Sequence, residues 1–298
     1  TGTNLEFKSA VTGPVGAEGE LSTYFEYPDT DTALINSGTV TINPTAGTLA
    51  VNAFTSISGG SFTLKSGKTL QTLVGESIFV RSGDDVTVES GASLVSVADS
   101  DGDGGTITID SGVGPQDRFD NDGTITANFL DVRSNNIDFA GSSINAETVQ
   151  IQPRPGGKPV DQGTNPIILG SASIGLNQLD IRIDDLDALK STTDLTIGKI
   201  RGGNEDFASD ITITSALDFT TLGTGTIKTL TLATANGDTT QGSTAPITVE
   251  NLRVIHRAGQ ITLNAANAVD VLAVRAETGA DDANATLEFT NSKGFTVG

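Results

Sequence analysis

The residues of this chain best suited to chemistry are aspartates gathered at turns. The segment DSDGDGGTITID, Asp99–Asp110, opens with the D-x-D-x-D-G pattern of a calcium-binding loop, with Gly104 at the sharp turn. Its candidate metal ligands are Asp99, Asp101, Asp103 and Asp110. The last position is Asp where that loop type carries Glu, no helical pattern flanks the segment, and Asp-Gly runs also build plain exposed turns. The segment therefore predicts either a calcium site or a solvated turn.

A second acidic group follows in the segment LDIRIDDLDALK. An enzyme that cleaves polysaccharides could use a cluster of Asp180, Arg182, Asp184 and Lys190. However, two carboxylates that cleave a glycosidic bond need a defined separation across a groove. Asp184 and Asp187 instead fit the start of one short helical turn, with Asp184 as its cap and Asp187 three places on. We therefore predict structural roles for these acids and keep catalysis as the alternative.

Other catalytic side chains are scarce. The chain has one His and no Cys, which removes disulfides, thiol nucleophiles and thiolate metal sites. His256 lies between Arg253 and Arg257 in the strand-like sequence NLRVIHRAG, without a nucleophile motif nearby. This context predicts an outward-facing strand residue and not a general base. The sequence predicts that the protein is not an enzyme.

Charge and hydropathy limit the partners. Seventeen basic and 37 acidic residues give a net charge of −20, which argues against nucleic acid and anionic membrane surfaces as partners. No apolar run approaches the about eighteen residues of a membrane span, so no membrane insertion is expected. The sequence has no Met and starts at Thr1 without a leader pattern, as expected of a processed product or a segment of a longer chain.

The elements that position these side chains are short strands. Runs of Val, Ile, Leu, Thr and Phe alternate with polar residues and end at Gly, Asn, Asp or Ser, which is a strand-and-turn pattern. In the first half, glycines recur at steps of 22, 23 and 22 residues, at Gly38, Gly60, Gly83 and Gly105. A fixed step of this size is typical of a solenoid whose coils bury their apolar faces by stacking. A β-sandwich is the alternative, but two Tyr, twelve Phe and no Trp favour a narrow coil filled by small aliphatic residues.

The predicted fold is therefore all-β, a parallel β-helix. We divide it into a variant first coil or cap at 1–37, coils with a step of about 22 residues at 38–144, and further coils at 145–298. A Pro-rich stretch around Pro155 and Pro159 marks a loop, since proline cannot donate a ladder hydrogen bond. The predicted core comprises Val40, Ile42, Leu49, Val51, Leu64, Ile107, Ile109, Ile125, Leu195, Ile197, Ile211, Ile213, Ile261 and Leu263.

The second half resembles a known family. The phrase DLDALKSTTDLTIGKIRGGNEDFASDITIT is similar to a repeat phrase of the filamentous-haemagglutinin-like giant exoproteins. VQIQPRPGGKPVDQG before it, and APITVENLRVIHRAGQITLNAANAVDVLAV after it, resemble the flanking phrases of the same repeat region. The resemblance covers about Thr148 to Gly298.

The resemblance implies a right-handed parallel β-helix that is secreted across the outer membrane of a bacterium by a dedicated partner. We expect a structural segment of a cell-surface filament or adhesin that mediates adhesion or cell contact without catalysis. Its partners would be neighbouring coils of the same or identical chains, and a receptor or glycan that the sequence does not identify. No cofactor is required, and calcium is the ion that the loop at Asp99 could hold. The alternative function is that of a β-helix polysaccharide lyase or hydrolase.

Overall fold

The protein is all-β. The computed structural model describes residues 5–7, 32–37, 39–44, 47–102, 104–112, 114, 116–154, 166–171, 178–198, 209–234, 237–256, 258–276 and 286–298. Besides strands, these residues form one five-residue α-helix and one three-residue 3-10 turn. Within the same residues, no helix has the length and apolar content needed to cross a bilayer. The chain divides into two compact units, Thr1–Glu147 and Thr148–Gly298.

Fifteen strands begin in the first unit, and most are three to six residues long. They are β1 (Leu5–Phe7), β2 (Thr32–Ser37), β3 (Val40–Ile42), β4 (Thr48–Val51), β5 (Ala53–Ser58), β6 (Phe62–Leu64), β7 (Thr69–Thr72), β8 (Ile78–Arg81), β9 (Val86–Val88), β10 (Ser93–Val95), β11 (Thr106–Asp110), β12 (Arg118–Asn121), β13 (Thr124–Arg133), β14 (Asn136–Asp138) and β15 (Ser143–Gln152).

The second unit continues with strands, α1 and the 3-10 turn. Its elements are β16 (Ile167–Ser171), β17 (Leu179–Arg182), α1 (Ile183–Asp187), β18 (Asp194–Gly198), β19 (Ile211–Ile213), β20 (Leu217–Asp218), the 3-10 turn (Leu222–Thr224), β21 (Thr229–Thr234), β22 (Thr239–Gln241), β23 (Ile247–His256), β24 (Gln260–Ala276), β25 (Thr286–Asn291) and β26 (Thr296–Val297).

The strands of the first unit stack in parallel. One sheet has the order β1-β3-β6-β9-β12-β14, so each strand pairs with one that lies a coil away in the sequence. Val40 pairs with Phe62 and Phe62 with Val86, steps of 22 and 24 residues. Val86 then pairs with Phe119, because the chain between them also holds the Asp99 loop and the turn before β12. These four side chains are fully buried, so the inward positions of successive strands form one apolar column.

The second unit has the same arrangement. Leu195, Leu230, Leu252 and Leu272 occupy matching positions in β18, β21, β23 and β24, which pair in parallel. Each of the four is at most 4% exposed. Because successive side chains of a strand point to opposite faces, the residues between them face outwards and are polar or small.

The core agrees with the sequence pattern. All fourteen predicted core residues are buried, none with more than 4% of its surface exposed. The all-β prediction and the parallel stacking are therefore confirmed. The regular 22-residue step is confirmed only for the first coils, since later steps vary. The Pro155 and Pro159 loop, and 8–31 of the predicted first coil, lie outside the described residues.

Glycine is required where coils approach closely. A Cβ on Gly83 would lie 2.3 Å from the carbonyl oxygen of Gly59 in the neighbouring coil. Gly104 has a φ of +74° and lies against Gly75, whose carbonyl oxygen would be 1.7 Å from an added Cβ. No L side chain fits these contacts without moving the backbone. The spacing of glycines therefore reflects coil contacts as well as turns.

Candidate functional site

The predicted calcium loop forms a tight turn between β10 and β11. The Asp99 carboxylate accepts the backbone N–H of Asp101 at 3.0 Å, and the carbonyl of Asp99 accepts the N–H of Gly102 at 3.1 Å. The turn is closed by an antiparallel bridge between Ala98 and Gly104. This hydrogen bonding is the usual behaviour of Asp in a turn, where its side chain mimics the backbone.

Asp110 has a different environment. It lies in β11, in register with Arg81 on one side and Arg133 on the other. Its Oδ2 accepts the Nε–H of Arg81 at 2.8 Å, and the carboxylate is only 6% exposed. Arg133 in turn donates to Asp131 at 2.6 Å. Alternating charges along neighbouring strands explain Asp110 without a metal ion.

The calcium assignment remains a prediction. The structure places Asp99 and Asp101 in one turn and engages Asp110 with Arg81, while Asp103 lies outside the described residues. Within the described part of the chain, no group of three or more His, Cys, Asp or Glu is arranged to hold a metal. The fit of the residues to the ion therefore depends on Asp103.

The acidic turn at α1 has a structural explanation. Asp185 is buried, and its carboxylate accepts the backbone N–H of Arg182 at 2.8 Å. The guanidinium of Arg182 closes a two-pronged ion pair on the same carboxylate, at 3.1 and 2.9 Å. The short helical turn is confirmed, but Asp184 as its cap was wrong: Arg182 is the N-cap residue, Asp185 is the capping acid, and Asp184 is exposed. The pattern of four acids could not show which one faces the backbone.

The remaining members of the proposed catalytic cluster are also engaged. Asp180 is buried and accepts both of its hydrogen bonds from Gln178, at 2.9 and 3.0 Å. Lys190 lies 3.4 Å from Asp187, whose other oxygen accepts the N–H of Gly223 at 3.3 Å. These contacts hold α1 against the 3-10 turn. Arg182 is paired with Asp185, so the described contacts do not join Asp180, Arg182, Asp184 and Lys190 into one catalytic group.

His256 is fully buried, so its predicted outward orientation was wrong. Its Nε2 lies 2.6 Å from the carbonyl oxygen of Gly237, and its Nδ1 is buried without a hydrogen-bond partner. Burial lowers the pKa of the imidazole, although the bond to Gly237 and the charge of Asp238 act in the opposite direction. The neutral ring therefore fills the turn at the end of β23.

Two carboxylates of the first unit have shifted pKa values. A hydrogen bond from Lys65, 2.6 Å away, is the main cause that lowers the pKa of Glu89. Burial raises the pKa of Asp120, against the attraction of Arg118 at 2.6 Å. Shifted pKa values can mark an active site, but ion pairs between strands also produce them. Both carboxylates have such a partner.

Sequence reasoning missed a column of amide side chains in the second unit. Gln241, Asn267 and Asn291 follow the strand segments of three successive coils. The Asn267 oxygen accepts the N–H of Ile247 at 2.8 Å and a hydrogen bond from Gln241 at 2.7 Å. Its nitrogen donates to the carbonyl oxygens of Leu263 and Thr290, both at 3.0 Å.

Asn291 repeats this role in the next coil. Its oxygen accepts the N–H of Val269 at 3.0 Å, and its nitrogen donates to the carbonyls of Val269 and Lys293. The recurrence of an amide one coil apart, at Gln241, Asn267 and Asn291, was the signal available in the sequence. We call these three residues the amide ladder.

Within the described residues, the acids, bases and amides singled out above mainly bond strands and turns to one another. The arrangement can fix the register of stacked strands and hold turns against the core. Comparison of the chain with protein-family models, curated proteins and solved structures found no match. The functional argument therefore depends on the geometry.

Proposed function

We propose that this chain is a structural segment of a secreted bacterial cell-surface filament or adhesin, folded as a right-handed parallel β-helix. The observation that supports it is the stacking of parallel strands about one coil apart, with continuous apolar columns inside each unit. Coils of this kind contact only their neighbours, so length can be added without changing the local packing. That property suits a stalk that holds a binding surface away from the cell.

The charge supports the same function. A net charge of −20 makes the lateral approach of two such chains unfavourable, which keeps fibres apart in solution. The outer faces carry Thr, Asn and ion pairs such as Lys65–Glu89, which stay hydrated. The filamentous-haemagglutinin resemblance of residues from about Thr148 to Gly298 is the basis for placing the chain outside the cell, with an outer-membrane secretion partner.

The absence of a catalytic role is part of the proposal. Asp180, Arg182 and Lys190 each have a structural partner, so the cluster that an enzyme would need is divided among separate contacts. Incubation of the purified chain with acidic and neutral bacterial polysaccharides is expected to leave their length unchanged. Depolymerisation that is lost in Asp184→Asn would favour the lyase or hydrolase function instead.

The main test is imaging of the native surface material. Antibodies against this chain, detected by immunogold electron microscopy, are expected to label extracellular fibres about one coil thick. Cryo-electron microscopy of those fibres would also give the handedness of the helix. Label confined to the cytoplasm, or a compact secreted monomer, would reject the proposal.

A further inference from the structure

The edge formed by β25 and β26 presents apolar side chains to solvent. Both strands pair with β24 on one side, and the described residues contain no strand on the other side. Leu287 is 39% exposed and Val297 is 75% exposed. Their register partners in β24, Ile261 and Leu272, are 1% and 4% exposed. The inward positions of β25 and β26, which we call the open edge, therefore lack the cover that the previous coil has.

A repeated tripeptide indicates what fits this edge. The sequence Leu-Glu-Phe occurs in β25, at Leu287–Phe289, and also forms β1, at Leu5–Phe7. β1 pairs in parallel with Val40–Ile42, whose sequence is Val-Thr-Ile. β25 pairs with Ile261–Leu263, whose sequence is Ile-Thr-Leu. In both pairings Leu-Glu-Phe lies in register with an aliphatic-Thr-aliphatic strand.

The physical reason lies in the two faces of the strand. Aliphatic residues in register with Leu287 and Phe289 continue the apolar column on the inward face. A threonine in register with Glu288 offers a hydroxyl and no charge, whereas an acidic residue there would place like charges directly opposite each other. An added strand also supplies hydrogen bonds to the backbone of β25.

We propose that the open edge binds one extended strand of another polypeptide, parallel to β25 and with the pattern aliphatic-Thr-aliphatic. The biological setting of this inference, coil added to coil in a surface fibre, rests on the proposed function. The binding itself depends only on the edge. The rings of Phe289 and Phe295, with centroids 5.4 Å apart, form the apolar floor between β25 and β26.

The test uses the full chain and a fluorescein-labelled peptide that copies residues 36–44, NSGTVTINP. Fluorescence anisotropy is expected to show saturable binding. The same peptide with Thr41→Glu is expected to bind at least about tenfold more weakly, because its acid would face Glu288. Hydrogen exchange should slow at the backbone amides of β25 when the unmodified peptide is bound.

Two protein variants complete the test. Leu287→Lys with Val297→Lys is expected to weaken binding at least about tenfold, the effect of losing one buried aliphatic anchor. Leu73→Lys with Val74→Lys removes apolar residues that are 54% and 66% exposed elsewhere on the chain, and is expected to bind normally. All four positions are exposed, and thermal melts check that both variants are folded.

Absence of saturable binding up to about millimolar peptide would overturn the inference, as would equal weakening in the two variants, which indicates nonspecific apolar contact. Neither outcome bears on immunogold labelling of fibres. Conversely, intracellular labelling would reject the proposed function and leave peptide binding as measured. The failures of the two proposals are therefore distinguishable.

Discussion

The amide ladder makes a quantitative prediction for Asn267. The side chain is fully buried, and its oxygen and nitrogen serve the N–H of Ile247 and the carbonyl of Leu263. Truncation in Asn267→Ala removes both partners. A buried backbone group without a hydrogen bond costs about 1–3 kcal/mol, so two of them predict a loss of about 2–6 kcal/mol in the free energy of unfolding.

Asn264 offers a matched control. It is an exposed asparagine three residues earlier on β24, and it bonds only to Glu288 across the surface at 2.9 Å. Asn264→Ala is expected to change the free energy of unfolding by no more than about 0.5 kcal/mol. Asn267→Leu provides a second control, because it keeps most of the side-chain volume and removes the hydrogen bonds. It should be destabilising too.

The assay is equilibrium unfolding in urea, followed by circular dichroism in the far ultraviolet. Hydrogen exchange at the Ile247 amide gives an independent measure, since its main described acceptor is Asn267. Exchange is expected to accelerate in both Asn267 variants and to remain unchanged in Asn264→Ala. If Asn267→Ala and Asn264→Ala unfold at the same urea concentration, the ladder does not stabilise the coils and the reasoning is refuted.

Three further predictions concern the titratable groups. Because burial lowers the pKa of His256 in the folded state, the unfolded chain takes up a proton first, and stability should fall as pH drops below about 6.5. His256→Gln should remove that part of the pH dependence in thermal melts between pH 8 and 5, and an unaltered slope would contradict it. If the loop holds calcium, millimolar calcium should raise the melting temperature of the wild type but not of Asp99→Asn. A melt indifferent to the ion would leave a plain turn. Asp185→Asn should destabilise α1 by about 1–3 kcal/mol through loss of the charged pair with Arg182, whereas Asp184→Asn should be near neutral. Equal denaturant midpoints would show that Asp185 is not the capping acid.

The faces of the strands could be predicted from sequence because one short-range rule decides them. Alternating aliphatic and polar residues place Ile107 and Ile109 on the same side, and burial of one requires burial of the other. The rule is local, so it does not depend on the length of the coil. That is why the core list was correct in both units although the regular step was not maintained.

The partners of the polar residues could not be predicted in this way, because they depend on which coil lies next to which. Asp185 and Asp184 are adjacent acids, and only the direction of the chain at Arg182 decides which one caps the turn. His256 is an even number of residues from Leu252 and Val254, which are both buried. That alternation was a signal for an inward side chain, and it was outweighed by the polar character of histidine and its flanking arginines.

The amide ladder also explains how stacked strands of similar sequence keep one register. A shift of two residues between β22 and β24 would preserve the apolar face, so hydrophobic burial alone specifies the register weakly. Such a shift would displace Asn267 from Gln241 and leave the N–H of Ile247 without its acceptor. Close glycine contacts such as Gly83 on Gly59 impose a similar limit in the first unit, where a displaced strand would bring a side chain against backbone. Apolar columns therefore supply most of the burial, and a few amides and glycines select the one alignment in which neighbouring coils fit.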